Sequence, residues 1–187
     1  MNKVSAKAAL PAVFIAAFCS GCAAVPLEGA IAAKSEVVIA KNMVAAENGN
    51  AEAQYKVGDA HCCSINEGSG IYNTQKAVDW LCRSAQQGYS PAMFRLGKIL
   101  TGDVFDGPRV VARVSFGVYD VFNEATTNVP IAMAWLMQAR DAGEEGAKER
   151  VDEVWADMTA ADQLSAENYY ALRLKAPCSW GDVSGTG

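Results

Sequence analysis

The pattern of apolar and polar positions repeats along this chain. Ala77–Gly88 reads AVDWLCRSAQQG and Ala132–Gly143 reads AMAWLMQARDAG, with Ala77/Ala132, Trp80/Trp135, Leu81/Leu136 and Gly88/Gly143 coinciding. The alanine, tryptophan and leucine fall at i, i+3 and i+4, one face of a helix. A second overlay, at an offset of 39, sets AENGNAEAQYKVGD (46–59) on AQQGYSPAMFRLGK (85–98). It pairs Ala46/Ala85, Gly49/Gly88, Ala53/Ala92, Tyr55/Phe94, Val57/Leu96 and Gly58/Gly97. Ala147 and Val151 still fall on the positions of Ala92 and Leu96. A period of roughly 35 to 45 residues built from two helices marks an α-solenoid.

Helix-end signals agree with this reading. Asn50 follows Gly49, Ser90-Pro91 follows Gly88, and Asn73-Thr74 precedes the Trp80 helix. Pro130 opens the Trp135 helix, and Thr159 with Asp162 makes a loose capping box. The predicted helices cover Ile31–Glu47, Ala51–Cys63, Gln75–Gln87, Pro91–Leu100, Ile131–Ala142, Glu145–Met158 and Ala160–Leu174. Small residues at Ala53, Gly58, Ala85 and Gly97 let paired helices approach closely, with Trp80 and Trp135 filling the space between layers. The repeat core is therefore expected at Trp80, Trp135, Gly58, Gly97, Gly88 and Gly143.

One stretch, 103–128, breaks the period. In RVVARVSFGVYDVF (109–122), Ala112, Val114, Phe116 and Val118 alternate as a strand would. Val110, Val114, Val118 and Val121 or Phe122 are also spaced as a helix would be. Extra helix and β-hairpin both stay open. Insertions in solenoids lie on one face, often the binding face.

Composition narrows the class. Apolar residues make up 51% of the 187, and the formal charge is −5. An acidic balance argues against nucleic acid as a partner, which needs a basic face. The start reads as an export leader: Lys3 and Lys7 without an acid, then the apolar run Ala8–Phe18, too short to span a bilayer. The run ends in CSGC (19–22), which resembles the lipobox of bacterial lipoproteins, with Ser20 and Gly21 as the small pair before Cys22. Cys19 at −3 departs from the usual leucine. The resemblance implies lipidation of Cys22, cleavage before it, and, with Ala23 rather than aspartate next, the outer membrane. Several acyl chains hold a protein firmly where one binds marginally. The alternative is an ordinary secreted protein cut nearby. From Cys22 onward the chain keeps 14 basic and 21 acidic residues, a balance of −7.

The repeat itself resembles the Sel-one-like family, a relative of tetratricopeptide repeats. AQYKVGDAH (53–61) and AMFRLGKIL (92–100) resemble its first helix. Ala77, Trp80, Ser84, Ala85 and Gly88, with Ala132, Trp135, Ala139 and Gly143, match its second. MTAADQLSAENYYALRL (158–174) is similar to the helix that closes such arrays. The resemblance covers about Val38–Leu174. It implies an all-α fold: a short right-handed α-solenoid of antiparallel helix pairs, TPR-like, with one insertion at 103–128. The expected division is a leader at 1–21, a linker at 22–30, a repeat domain at 31–175 and a C-terminal tail at 176–187, in which Trp180 has no assigned place.

An exported chain meets an oxidising compartment, so Cys62, Cys63, Cys82 and Cys178 are candidates for disulfides. A bridge from Cys62 or Cys63 to Cys82 would staple a hairpin, closing about 20 residues and stabilising by about 3 kcal/mol. The expected pair is Cys63–Cys82, with Cys178 taking the remaining thiol, because adjacent cysteines seldom bond each other. His61, the only histidine, stands where the family places a packing tyrosine. No spaced ligand set for zinc and no nucleophile, phosphate or dinucleotide motif appears, so no catalytic, metal or cofactor residue is expected. Asp141, Glu144, Glu145, Glu149 and Asp152 cluster near a helix start. They read as a solvated first turn, with an acidic binding edge as the alternative.

The function this implies is a non-enzymatic envelope lipoprotein, facing the periplasm, that serves as an adaptor or scaffold. Its partner would be another envelope protein or a peptide segment, with the membrane reached only through the lipid. Two rivals remain: a cysteine-rich repeat enzyme of β-lactamase-like type, and a purely structural lipoprotein. Against the enzyme, Met137 stands where Cys82 stands in the first repeat, so a cysteine pair is not carried in each unit.

Overall fold

The computed structural model describes residues 21–63, 71–103 and 128–184, with side chains from Ala32 onward. The leader up to residue 20 and the helix-or-hairpin question at 104–127 lie outside the described residues. Within them the chain is all-α, with eight α-helices and no strand. We label them α1 (Gly21–Glu47), α2 (Ala51–His61), α3 (Thr74–Ala85), α4 (Ser90–Leu100), α5 (Val129–Asp141), α6 (Ala147–Asp157), α7 (Ala160–Ala171) and α8 (Trp180–Ser184), with a 3₁₀ turn at Arg173–Lys175. The segment 22–30, expected as a linker, is the first part of α1. Its alanines favour helix, and the backbone runs on without a break into the part that packs. No helix among the described residues is long and apolar enough to cross a membrane.

The helix ends follow one scheme. Asn50, Asn73, Asn128 and Thr159 each accept a hydrogen bond from the backbone N–H three residues on, at 2.8, 2.8, 3.3 and 3.2 Å. Each thereby satisfies an otherwise orphaned donor of the first turn. At the C-termini, Gly49, Gly88, Gly102 and Gly143 all take positive φ, between 78° and 90°. The next N–H reaches back to the helix: Asn50 to Ala45 O, Tyr89 to Ser84 O, Asp103 to Lys98 O and Glu144 to Ala139 O. This is the Schellman arrangement, in which glycine occupies the left-handed position without a Cβ penalty. Ser90 departs from its expected capping role. It is the first residue of α4, the residue before it makes no side-chain cap, and its hydroxyl donates to Glu144 Oε2 at 2.7 Å. The hydroxyl ties two segments together instead of serving its own helix.

Packing runs along the chain order. The main core joins Val78 and Leu81 of α3, Leu96, Ile99 and Leu100 of α4, and Ile131 and Trp135 of α5. A smaller cluster at one end unites Ala46, Ala53 and Val57 with Met43 and Trp80. Another unites Met133, Leu136, Val151 and Ala166. The valine, leucine, isoleucine and methionine side chains among them contribute about 1.5–3 kcal/mol each when fully withdrawn from water.

The two glycines of the repeat sit in matching contacts. A Cβ on Gly58 would lie 2.8 Å from Leu81 Cγ and 3.1 Å from Ala77 O; one on Gly97 would lie 2.6 Å from Leu136 Cγ and 3.1 Å from Ala132 O. Leu81 and Leu136, like Ala77 and Ala132, are the pairs that coincide in sequence. The hairpin mouths match as well: Asn73 N donates to His61 O at 2.9 Å, and Asn128 N donates to Leu100 O at 3.0 Å.

Residues 176–184, set apart as a tail, belong to the core. Ala176, Cys178 and Val183 are buried in it. Pro177 O accepts from Trp135 Nε1 at 2.9 Å, and Trp180 N donates to Asp79 Oδ1 at 2.8 Å. Cys82 bonds to Cys178, with Cα atoms 5.3 Å apart, and Cys62 bonds to Cys63. The expected Cys63–Cys82 bridge is therefore wrong, and geometry says why. His61 is level with Asn73 at the hairpin mouth, whereas Cys82 lies nine residues further along, about 13 Å at 1.5 Å per helical residue. That exceeds the Cα separation a disulfide spans.

Candidate functional site

The sequence-derived residues divide into structural and unassigned ones. Trp135 is fully buried. Trp80, at the equivalent position, is only half-buried, packs with Met43, Ala46, Ala53 and Val57, and carries the Arg83 guanidinium 4.6 Å above its ring. The expectation that both tryptophans fill an inter-layer space thus holds fully only for Trp135. Tail atoms cover that side of α5. Gly58 and Gly97 are contact glycines, whereas Gly88 and Gly143 serve as helix stops rather than core. Cys22 is the second residue of α1, and its side chain lies outside the described set. His61 is buried, with Nδ1 2.7 Å from Ile71 O, so Nδ1–H donates to that carbonyl. Among the described residues no group of three histidines, cysteines or carboxylates is placed to hold a metal ion.

The acids read as a cluster are mostly paired one by one. Asp141 accepts from the Tyr170 hydroxyl, which with Arg140 holds its carboxyl below the usual carboxylate range. Glu144 accepts from Ser90, and Asp152 pairs with Lys148 at 2.5 Å. Exposed pairs of this sort are screened by water and contribute little to stability. Glu145 and Glu149 point to solvent.

A second surface joins α2 to α4. Arg95, 6% exposed, bonds Asp59 at 2.8 Å, and the rings of Tyr55 and Tyr89 lie 5.5 Å apart, tilted. Burial first, then the Asp59 carboxylate, raises the Tyr55 hydroxyl above its ordinary pKa.

Among the described residues one concavity lies where four helix ends meet. It is a cleft of about 270 Å³ lined by Thr101, Val129, Arg150, Glu153, Val154, Asp157, Met158 and Asp162. Thr101 closes α4 and Val129 opens α5, so the cleft sits at the root of the insertion. Arg150 forms its polar floor. Nη2 donates to Thr101 Oγ1 at 2.9 Å, Nη1 donates to Glu153 Oε2 at 2.7 Å, and Asp103 Oδ2 lies 3.8 Å away. Its Nε–H is buried and finds no acceptor among the described residues. Lys98 Nζ stands 3.6 Å from the same Asp103 oxygen. Val129, Val154 and Met158, all half-buried, supply apolar wall. Of these side chains the sequence pointed only to Asp162, and to that one as a helix cap rather than as part of a cleft. The one available signal was the insertion, whose two ends are joined by the Asn128–Leu100 hydrogen bond.

No protein-family model, curated protein or solved structure matches this chain.

Proposed function

We propose that this chain is an envelope lipoprotein, anchored through acyl groups on Cys22 and facing the periplasm from the outer membrane. In this reading it serves as an adaptor that holds a protein or peptide partner against a short right-handed α-solenoid of the Sel-one-like kind. One observation carries the reading. Two helix pairs, α2–α3 and α4–α5, repeat the same contacts at coinciding positions. The glycine of one helix meets the alanine and leucine of the next, and the mouth is closed by an asparagine N–H. Units of that kind bury a seam by stacking, and their use in proteins is chiefly to offer an extended surface to partners. The cleft at the root of the insertion adds a concave element to that surface.

The test is a pull-down from envelope extract. It compares the full chain with a form in which residues 104–127 are replaced by a short Gly-Ser loop, keeping Asn128 as the cap of α5. One reproducible envelope partner, captured by the intact chain, is the expected result. An empty capture by folded protein would leave only a structural lipoprotein. Labelling with radioactive fatty acid checks the anchor: incorporation should vanish in Cys22→Ala, and a label that persists there refutes lipidation at this residue.

A further inference from the structure

Helix α1 has two unlike faces. One packs: Ser35 and Ala46 are buried, Val38, Ile39, Asn42 and Met43 are half-buried, and Met43 and Ala46 join Ala53 and Val57 of α2. The opposite face carries Ala33, Val37, Ala40 and Val44, all exposed, with Val37 at 50% and Val44 at 70%. They are spaced by four, three and four residues, which is the a/d seam of a heptad, with valine at a and alanine at d. The seam stops at Glu47, the last residue of α1.

Valine is a poorer helix former than alanine, lysine or glutamate, so two exposed valines on one stripe do not serve the helix itself. Contiguous exposed apolar surface rimmed by charge marks an interaction site, and here the rim selects the partner. Glu36 lies on one edge of the seam, at position g; Lys34 and Lys41 lie on the other, at position e. All three are exposed and make no ion pair among the described residues. On one helix Glu36 and Lys41 point about 140° apart and cannot meet. In a parallel, in-register pair of helices, each g position faces the e position five residues on in the other helix. Glu36 then meets Lys41 of a second copy, twice by symmetry. An antiparallel pair sets g against g and e against e, glutamate on glutamate and lysine on lysine. Valine at a is the choice that favours two strands, and alanine at d lets the backbones come close. A parallel pair also keeps both Gly21 ends together, as two chains anchored at Cys22 in one membrane require, whereas 27 helical residues laid antiparallel would set those ends about 40 Å apart.

We propose that α1 is a dimerisation helix: two copies of this chain pair in parallel and in register along Ala33, Val37, Ala40 and Val44, with a Glu36–Lys41 contact on each edge. This pairing goes beyond the adaptor reading and does not depend on it.

The full chain in mild detergent, followed by sedimentation equilibrium, should form a two-chain species. Glu36→Lys sets lysine against lysine on both edges and should raise the dimer Kd by at least about tenfold. Adding Lys41→Glu to it should restore most of the loss, because the swapped charges again meet their opposites. Both residues are exposed, so the far-UV circular dichroism of the variants should match that of the wild type. Val44→Cys should be joined to its counterpart by mild oxidation, since an a position meets its own equivalent in a parallel pair; Glu167→Cys, exposed on α7, should not. A single-chain mass at every concentration would overturn the proposal, and is the result if α1 lies on lipid or beneath another segment of its own chain. Association that ignores the charge swap would overturn it too, and is the result if chains only share a micelle. Crosslinking of Val44→Cys that appears only when Ala33→Cys is also present would mark an antiparallel pair and overturn it as well. The pull-down keeps the two readings apart: a chain that stays single yet captures a partner leaves the adaptor standing, and a dimer with an empty capture leaves the pairing standing.

Discussion

The α2–α3 and α4–α5 units are written with the same residues at their joints and are finished by different means. In both, a glycine lets the second helix come close enough for a leucine to lie against bare backbone, at Gly58/Leu81 and Gly97/Leu136. In both, an asparagine caps the second helix and its own N–H closes the hairpin. Beyond those joints they part. The first unit carries Cys82, which draws in Cys178 across 96 residues of sequence. The second carries Met137 there, and its tryptophan binds the tail through Pro177 O instead. The first unit has a buried histidine and a bonded cysteine pair at its mouth; the second has the insertion and, beside it, the cleft. Shared residues set the spacing of the helices, and the differing ones decide what is bound to each unit.

Removing the Cys82–Cys178 bridge should break this comparison most severely. In the chain-entropy account a loop of about 100 residues contributes roughly 4.7 kcal/mol. Cys82→Ser with Cys178→Ser should therefore lower the urea-unfolding free energy by about 3–5 kcal/mol; a loss below about 1 kcal/mol would show that the tail is held without it.

Next in size, Gly97→Ala forces a methyl into Leu136, and Gly58→Ala forces one into Leu81. Each should cost about 1–3 kcal/mol by overpacking, with Gly97→Ala the costlier because its closest approach is shorter. Calorimetric melting of the two variants tests whether the units are equivalent, and a neutral Gly58→Ala beside a damaging Gly97→Ala would separate them.

The smallest effect concerns the tail. Asp182 accepts from the Ser179 hydroxyl and from the N–H groups of Cys178 and Ser179. The hydroxyl bond above all holds its carboxyl below the ordinary value of 3.8. A carboxylate whose folded pKa is depressed contributes stability that is present above its unfolded pKa and lost as pH falls through the folded one. Stability should thus decline as pH falls below about 4, with Asp141 adding to the slope in the same sense. Asp182→Asn should flatten part of that decline in acid-unfolding curves; an unchanged slope would remove Asp182 from the account.

Local signals made the helices legible. Apolar spacing, Asn50, Asn73, Thr159 and the glycines fixed six of them to within a few residues, because those signals act inside one turn. The tail was not legible. Nothing periodic links Cys178 or Pro177 to α3 and α5, and the contacts span 96 and 42 residues. The pairing of Cys82 was misread for the same reason, since hairpin neighbours were the only partners local reasoning offered. Trp80 and Trp135 show the limit in another way: equal positions in the repeat, unequal cover, because burial depends on which distant segment returns over each. The cleft, too, arises only where the ends of α4, α5, α6 and α7 meet.

The Leu100–Asn128 hydrogen bond gives the molecule a socket. Whatever is spliced between Asp103 and Asn128, the helices on either side see the same two anchored ends, and the entropy of closing a longer excursion grows only with the logarithm of its length. A framework wired this way can trade one inserted passage for another while the helices stay untouched, so the insertion can diversify at little cost to folding.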